Sequence, residues 1–149
     1  MTYTLRPYTD DDEDAAIALW HRTWQLAYPD IDFDARLAWW RTRWRTALVP
    51  IAAIVVAQNR DGIIAGFVTI DQTSGYLDQL VVSPDEWGSP LGGLLMNEAK
   101  RLSPAGVTLK VNADNDRAIA FYRKHGFVRT GGETNESGRA VDCMAWRPG

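Results

Sequence analysis

"LDQLVVSPDEWGSPLGGLLMNEAK" (77–100) and "LKVNADNDRAIAFYRKHGFVRTG" (109–131) are the stretches that decide the fold. The first opens on a β-type run over 76–82, which Ser83-Pro84 ends. A glycine-rich turn follows, with Gly88, Gly92 and Gly93 placed around Pro90. Leu91, Leu94, Leu95, Ala99 and Leu102 then recur at helical spacing. They predict an amphipathic helix to about Ser103 with all five facing inward. The second stretch completes a strand over 106–111. A helix from about Asn115 to His125 comes next, ended by Gly126 as a C-cap glycine. A last hairpin around "GETNESG" closes the chain.

Upstream, residues 2–6 read as a short strand ending at Pro7. Thr9 followed by Asp10, Asp11, Asp12 and Glu13 is a helix start: a hydroxyl cap, then carboxylates at the positive end of the dipole. Ile17, Trp20, Trp24 and Tyr28 form one stripe of that helix. A second helix begins near Asp32 to Asp34, with Leu37, Trp40, Trp44 and Leu48 on its apolar side, and Pro50 closes it. "IAAIVVAQ" (51–58), "GFVTID" (66–71) and "YLDQLVV" (76–82) are strands joined by turn signals, an antiparallel meander. The order β, α, α, β, β, β, α, β, α, β, β predicts an α/β chain with a mixed sheet.

The chain has 149 residues, a length that suits one domain with one core. Hydrophobic residues make up 46% and the formal net charge is −3, which fits a globular protein and argues against a nucleic-acid binder that relies on broad positive charge. No apolar run approaches the ~20 residues of a membrane helix. The first residues lack the basic-then-apolar order of a signal peptide, and Cys143 is the only cysteine. A cytoplasmic location is therefore expected, with no cysteine metal cluster. "WWRTRWR" (39–45) mixes arginine with aromatics as single-strand binders do, but Trp40 and Trp44 fit an inward stripe and Arg41 and Arg45 an outer one. Cys143 is expected to be buried, and His125 exposed in the last helical turn.

The glycine loop is a near-miss to two phosphate templates. Gly88 and Gly93 have the spacing of a Walker A loop, but Leu94 and Leu95 stand where Lys and Ser/Thr belong. The dinucleotide pattern fails at Pro90, and three antiparallel strands precede the loop. A helix N-terminus still offers free N–H groups and a favourable dipole to a diphosphate.

Taken together, the two stretches resemble the GCN5-related N-acetyltransferase (GNAT) family. One hallmark, Q/R-x-x-G-x-G/A before a helix, falls on Trp87, Gly88, Ser89, Pro90, Leu91 and Gly92, and departs at Trp87 and Pro90. The other, Asn-x-x-Ala then Phe-Tyr and Gly-Phe, falls on Asn115, Ala118, Phe121, Tyr122, Gly126 and Phe127. The resemblance follows element order over roughly 3–146 and is specific over 77–131. It implies a GNAT fold: an α+β architecture with a mixed, mostly antiparallel sheet of six to seven strands and about four helices, in a single domain. It implies acetyl-CoA as cofactor and direct acetyl transfer to an amine. The backbone of Leu80, Val81 and Val82 would meet the thioester in the gap between two diverging strands. Trp87, Gly88, Ser89, Leu91, Gly92 and Gly93 would hold the pyrophosphate. Asn115 would meet the pantetheine arm, Arg117 a phosphate, and Tyr122 would protonate the leaving thiolate. Pro90 removes one donor, a loss of roughly 1.5–3 kcal/mol at most.

The base is sought at Asp78, expected to share a strand face with Tyr76, Leu80 and Val82. His21 and Tyr28 are weaker choices. Trp24, Tyr28, Trp39 and Tyr76 are candidates for the acceptor wall. The acceptor is a small-molecule amine or a protein N-terminus, and homodimer formation is left open. Two alternatives stand: a non-catalytic acyl-CoA-binding or regulatory module, and a nucleotide-binding enzyme.

Overall fold

The computed structural model describes residues 2–149. Its elements are β1 (Thr4–Pro7), α1 (Glu13–Ala27), α2 (Leu37–Arg43), β2 (Ala53–Gln58), β3 (Ile64–Ile70), β4 (Leu77–Val82), α3 (Leu91–Leu102), β5 (Val107–Asn112), α4 (Asp116–Lys124), β6 (Val128–Thr134) and β7 (Ala140–Trp146). This is the order expected from the sequence.

The turn that leads into α1 is capped at Thr9, as expected, in a capping box with Asp12. The Asp12 carboxylate accepts the Thr9 N–H at 2.8 Å. Arg6 of β1 donates to the same carboxylate through Nη1 at 2.8 Å and Nη2 at 2.7 Å. This fork ties β1 to the start of α1. Asp12 is buried, and the Arg6 guanidinium holds its carboxyl at about 2, well below the usual carboxylate range.

Helices α1 and α2 cover one face of the first sheet through aromatic packing. Trp20 stacks on Trp40 with ring centroids 4.5 Å apart. Trp44 meets Phe67 of β3 edge-on at 5.3 Å and donates its indole N–H to Tyr8 Oη at 3.0 Å. Arg41 and Arg45 reach back to Glu13 on α1. The "WWRTRWR" segment therefore packs two helices together. On the opposite face of the sheet, Leu91, Leu95, Met96 and Ala99 of α3 are buried against β2, β3 and β4. Leu94 was expected inward but is exposed. The buried side of the helix follows 91, 95, 99 and 92, 96, and Met96 fills the inner position.

Strands β1-β2-β3-β4 form one antiparallel sheet, and β5-β7-β6 another. They meet at one parallel bridge, Tyr76 to Thr108, where the Thr108 N–H donates to Gly75 O at 2.9 Å. Gly75 has φ +80°, and a Cβ there would lie 2.7 Å from Gly106 O. Only glycine permits this approach. Among the described residues β4 and β5 make no further pairing, so they part like the arms of a V.

A bulge sits at the start of β4. Thr69 pairs with Gln79 and Ile70 with Leu77, which leaves Asp78 as the extra residue. The expected common face of Tyr76, Asp78, Leu80 and Val82 is thereby broken. Leu77 packs in the cluster that also takes Leu80 and Val82, while Asp78 turns to Arg43 on α2.

Candidate functional site

The glycine loop lies at the open end of the V. Gly88 has φ +87° and nothing within 4 Å of an added Cβ, so the requirement is conformational. Pro90 is the N-cap of α3, one residue before the first helical position at Leu91, with φ −69°. The first intrahelical bond is Leu94 N–H to Pro90 O at 3.0 Å. Not all of the loop's expected backbone donors are free. The Ser89 N–H donates to Glu86 O at 3.0 Å, and the Leu91 N–H to Ser89 Oγ at 3.2 Å. That leaves Gly88 and the first-turn amides of Gly92 and Gly93, which have no partner one turn back. Gly92 lies under Phe121, whose ring would be 3.0 Å from an added Cβ.

Trp87 is integral to this loop. Its indole N–H donates to Val82 O at 3.0 Å, which ties the loop to the end of β4. The Arg117 guanidinium of α4 stacks on the indole, 3.7 Å from its centroid. Where the family pattern has a polar side chain, this chain has an aromatic plate that carries an arginine from another helix. A cavity of about 350 Å³ lies beside them, lined by Trp87, Gly88, Ser89, Gly92, Arg117 and Phe121 among others.

Backbone polarity along β4 sorts its three predicted contributors. Ser83 donates its N–H to Ala65 O, and Gln79 donates to Thr69 Oγ1. Antiparallel alternation then turns the Val81 N–H into the same ladder and aims the N–H groups of Leu80 and Val82 away from β3, into the V. Across the gap, Asn115 caps α4 by accepting the Ala118 N–H on Oδ1 at 3.2 Å.

A second cavity, of about 490 Å³, opens on the other side of the V. All four expected acceptor residues, Trp24, Tyr28, Trp39 and Tyr76, line it, as do Asp78, Val81 and Asn115. The two cavities share a wall of Thr23, Leu80, Arg117, Ala118 and Tyr122. Tyr122 thus stands at the junction. Burial pushes its hydroxyl up to about 12, against a smaller opposing pull from Arg117. Asp78 is less free than expected. Its Oδ1 accepts from Arg43 Nη1 and from Gln79 Nε2, each at 3.0 Å, and its Oδ2 is paired with Arg43 Nη2. His21 lies outside both linings and pairs with Asp34 at 2.5 Å. Leu91 and Gly93 are also outside the linings; Leu91 is core, and Gly93 backs onto the His125 ring.

The acetyltransferase (GNAT) family pattern matches residues 13–127. The chain belongs to the GNAT family. Peptidyl-lysine N-acetyltransferase YjaB of Salmonella typhimurium is 29% identical over 145 residues, 97% of either chain. The Escherichia coli protein of the same name is 30% identical over 99 residues, 66% of this chain and 65% of that one. The solution structure of apo YjaB from E. coli has the same fold, with a TM-score of 0.79 and 23% identity over 98% of both chains. So does PaiA N-acetyltransferase from Thermoplasma acidophilum in complex with coenzyme A, with a TM-score of 0.75 and 18% identity over 99% of this chain and 100% of that one. As a GNAT protein the chain is an N-acetyltransferase, and the cofactor of its family is acetyl-CoA.

The GNAT pattern does not reveal every side chain at this site. Thr23 lines both cavities, and its buried hydroxyl has no hydrogen-bond partner among the described residues. It lies one helical turn from Trp20, a placement the α1 stripe already encodes. Arg43 and Arg139 are brought in by tertiary contacts that no local motif announces. Two background expectations also change. His125 is half-buried against Phe121, and burial, with Lys100 and Lys124 nearby, disfavours its charged form. Cys143 is only half-buried, with Sγ facing Glu133 Oε1 at 3.7 Å.

Proposed function

We propose that this GNAT protein transfers acetyl directly from acetyl-CoA to a primary amine, and that Tyr122 is the proton donor at the junction of two cavities. The single observation that carries this reading is the shared wall: one tyrosine borders both the glycine-loop cavity and the aromatic cavity. The residues suit the cofactor. The first-turn amides of Gly92 and Gly93, the Gly88 amide and the Arg117 guanidinium offer donors and charge to a diphosphate. The outward N–H groups of Leu80 and Val82, with Asn115 opposite, suit an extended amide-bearing arm. When bound, acetyl-CoA supplies an acetyl group activated as a thioester.

In this reading the Leu80 N–H stabilises a carbonyl oxygen that gains negative charge, an oxyanion-type role. Tyr122 keeps its proton at neutral pH and gives it to a departing thiolate. Asp78 is assigned a positioning role, because three hydrogen bonds already occupy its oxygens. The amine sheds its proton to water at the cavity mouth. Direct transfer is supported by Cys143, the only thiol, which lies outside both linings. The lysine side chain of a protein is the acceptor we favour, because both named relatives are peptidyl-lysine acetyltransferases.

The test is a thiol-release assay with acetyl-CoA and a panel of lysine peptides, N-terminal peptides and small amines. Mass spectrometry of the products is read in parallel. One acetylated amine per thiol released is expected, with a lysine peptide among the acceptors. Saturable acetyl-CoA binding without transfer to any amine would instead favour a binding module.

A further inference from the structure

We infer that the aromatic cavity selects an amine carried beside an anionic group, held by Arg36 and Arg139; this rests on the transferase reading above. Five cations line the cavity, Arg36, Arg43, Lys110, Arg117 and Arg139, against one carboxylate, Asp78. Arg43 neutralises that carboxylate. Lys110 is paired with Glu133 at 2.6 Å, and Arg117 lies on Trp87 at the cofactor wall. Arg36 makes no ion pair among the described residues. Arg139 reaches only Asp114, at 3.5 Å, and that carboxylate is largely exposed.

Both guanidinium groups are held in place by rings of the same cavity. Arg36 Cζ lies 5.4 Å from the Phe33 centroid, and Arg139 Cζ 5.0 Å from that of Tyr28. A stacked guanidinium keeps its in-plane N–H groups available for bidentate binding of a carboxylate. Trp40 adds a buried indole N–H with no partner among the described residues. An acceptor that brings only ammonium charge meets like charge here and no free carboxylate. One that brings a carboxylate as well finds donors for it. The same positive surroundings favour the neutral, nucleophilic form of the amine.

The anion has two sources of one chemistry: an acidic side chain next to a lysine in a peptide, or the carboxylate of a free amino acid. The experiment measures kcat/KM at saturating acetyl-CoA for lysine peptides flanked by Glu, Ala or Arg, for free amino acids, and for a polyamine. The best anionic acceptor is expected to exceed the Arg-flanked peptide and the polyamine by about tenfold or more, a gap that narrows with added salt. Whether the acidic peptide or the free amino acid leads assigns the source. Arg36→Ala and Arg139→Ala should each shrink the gap to about threefold or less, with the circular dichroism and the acetyl-CoA Kd unchanged. Equal or faster transfer to the Arg-flanked peptide or the polyamine overturns the inference and leaves the transferase intact. Acetyl-CoA binding without thiol release from any acceptor overturns the transferase reading itself.

Discussion

Tyr122 and Asp78 illustrate how surroundings assign roles to residues of ordinary chemistry. Burial lifts the Tyr122 hydroxyl to about 12, so the proton-carrying form persists through the whole working range. The sign follows: a donor with a raised value is lost only as pH climbs toward that value. The rate should therefore show no descending limb from Tyr122 below about pH 10. A pH–rate profile of kcat from 6 to about 10 checks this, and a limb near pH 8 that disappears in Tyr122→Phe would contradict it. Asp78 was legible in the sequence as a carboxylate on a strand. Its pairing with Arg43, 35 positions away, was not, because nothing local encodes it. With its oxygens occupied, Asp78→Asn should lower kcat by less than about tenfold and leave the pH profile in place. A general base in that position would instead cost 10²-fold or more, by roughly the usual scale for such groups.

At the scale of elements, two contacts hold the frame that the site needs. The Arg6–Asp12 fork joins β1 to the head of α1. Arg6→Ala leaves a buried carboxylate without its cation and should cost about 2 kcal/mol. That is a fall in Tm of roughly 4–8 °C for a chain of this size. Because the Asp12 value is depressed from 3.8 to about 2, the contribution is present above 3.8 and lost as pH falls through about 2. Thermal melts of both proteins between pH 7 and about 2 should show the gap closing only at the acid end. The second contact is the seam at Gly75, beside the one bridge that joins the sheets among the described residues. Gly75→Ala forces a left-handed φ on alanine and a Cβ against Gly106 O, and should cost about 2–4 kcal/mol. Calorimetry should find acetyl-CoA binding weakened along with Tm, because the same seam sets the angle of the V. The sequence supplied the strands on either side from period and turn residues. The parting of β4 from β5 was expected only through family resemblance, and the bulge at Asp78 leaves no trace in hydrophobic pattern.

Over the whole molecule, three layers serve one gap. Tryptophan-rich helices cover one face of the first sheet, α3 covers the other, and among the described residues the second sheet is bridged to the first once. The layering was legible because α1, α2 and α3 each carry an apolar stripe and each strand a compact run. The second cavity was legible in its aromatics, Trp24, Tyr28, Trp39 and Tyr76, but not in its cations, which arrive from separate loops and helices. If the gap holds acetyl-CoA, ligand at about 100 times its Kd adds about 2.7 kcal/mol to stability. Tm should then rise by roughly 5–10 °C, and ATP or NAD should leave it unchanged. The most direct measurement is a comparison of wild type with Tyr122→Phe, with kcat from thiol release and Kd for acetyl-CoA from calorimetry. The shared wall predicts a kcat lowered by about 10²-fold or more with Kd within about twofold. Unchanged kcat, or a loss of binding as large as the loss of turnover, would contradict the placing of Tyr122 as proton donor between the two cavities.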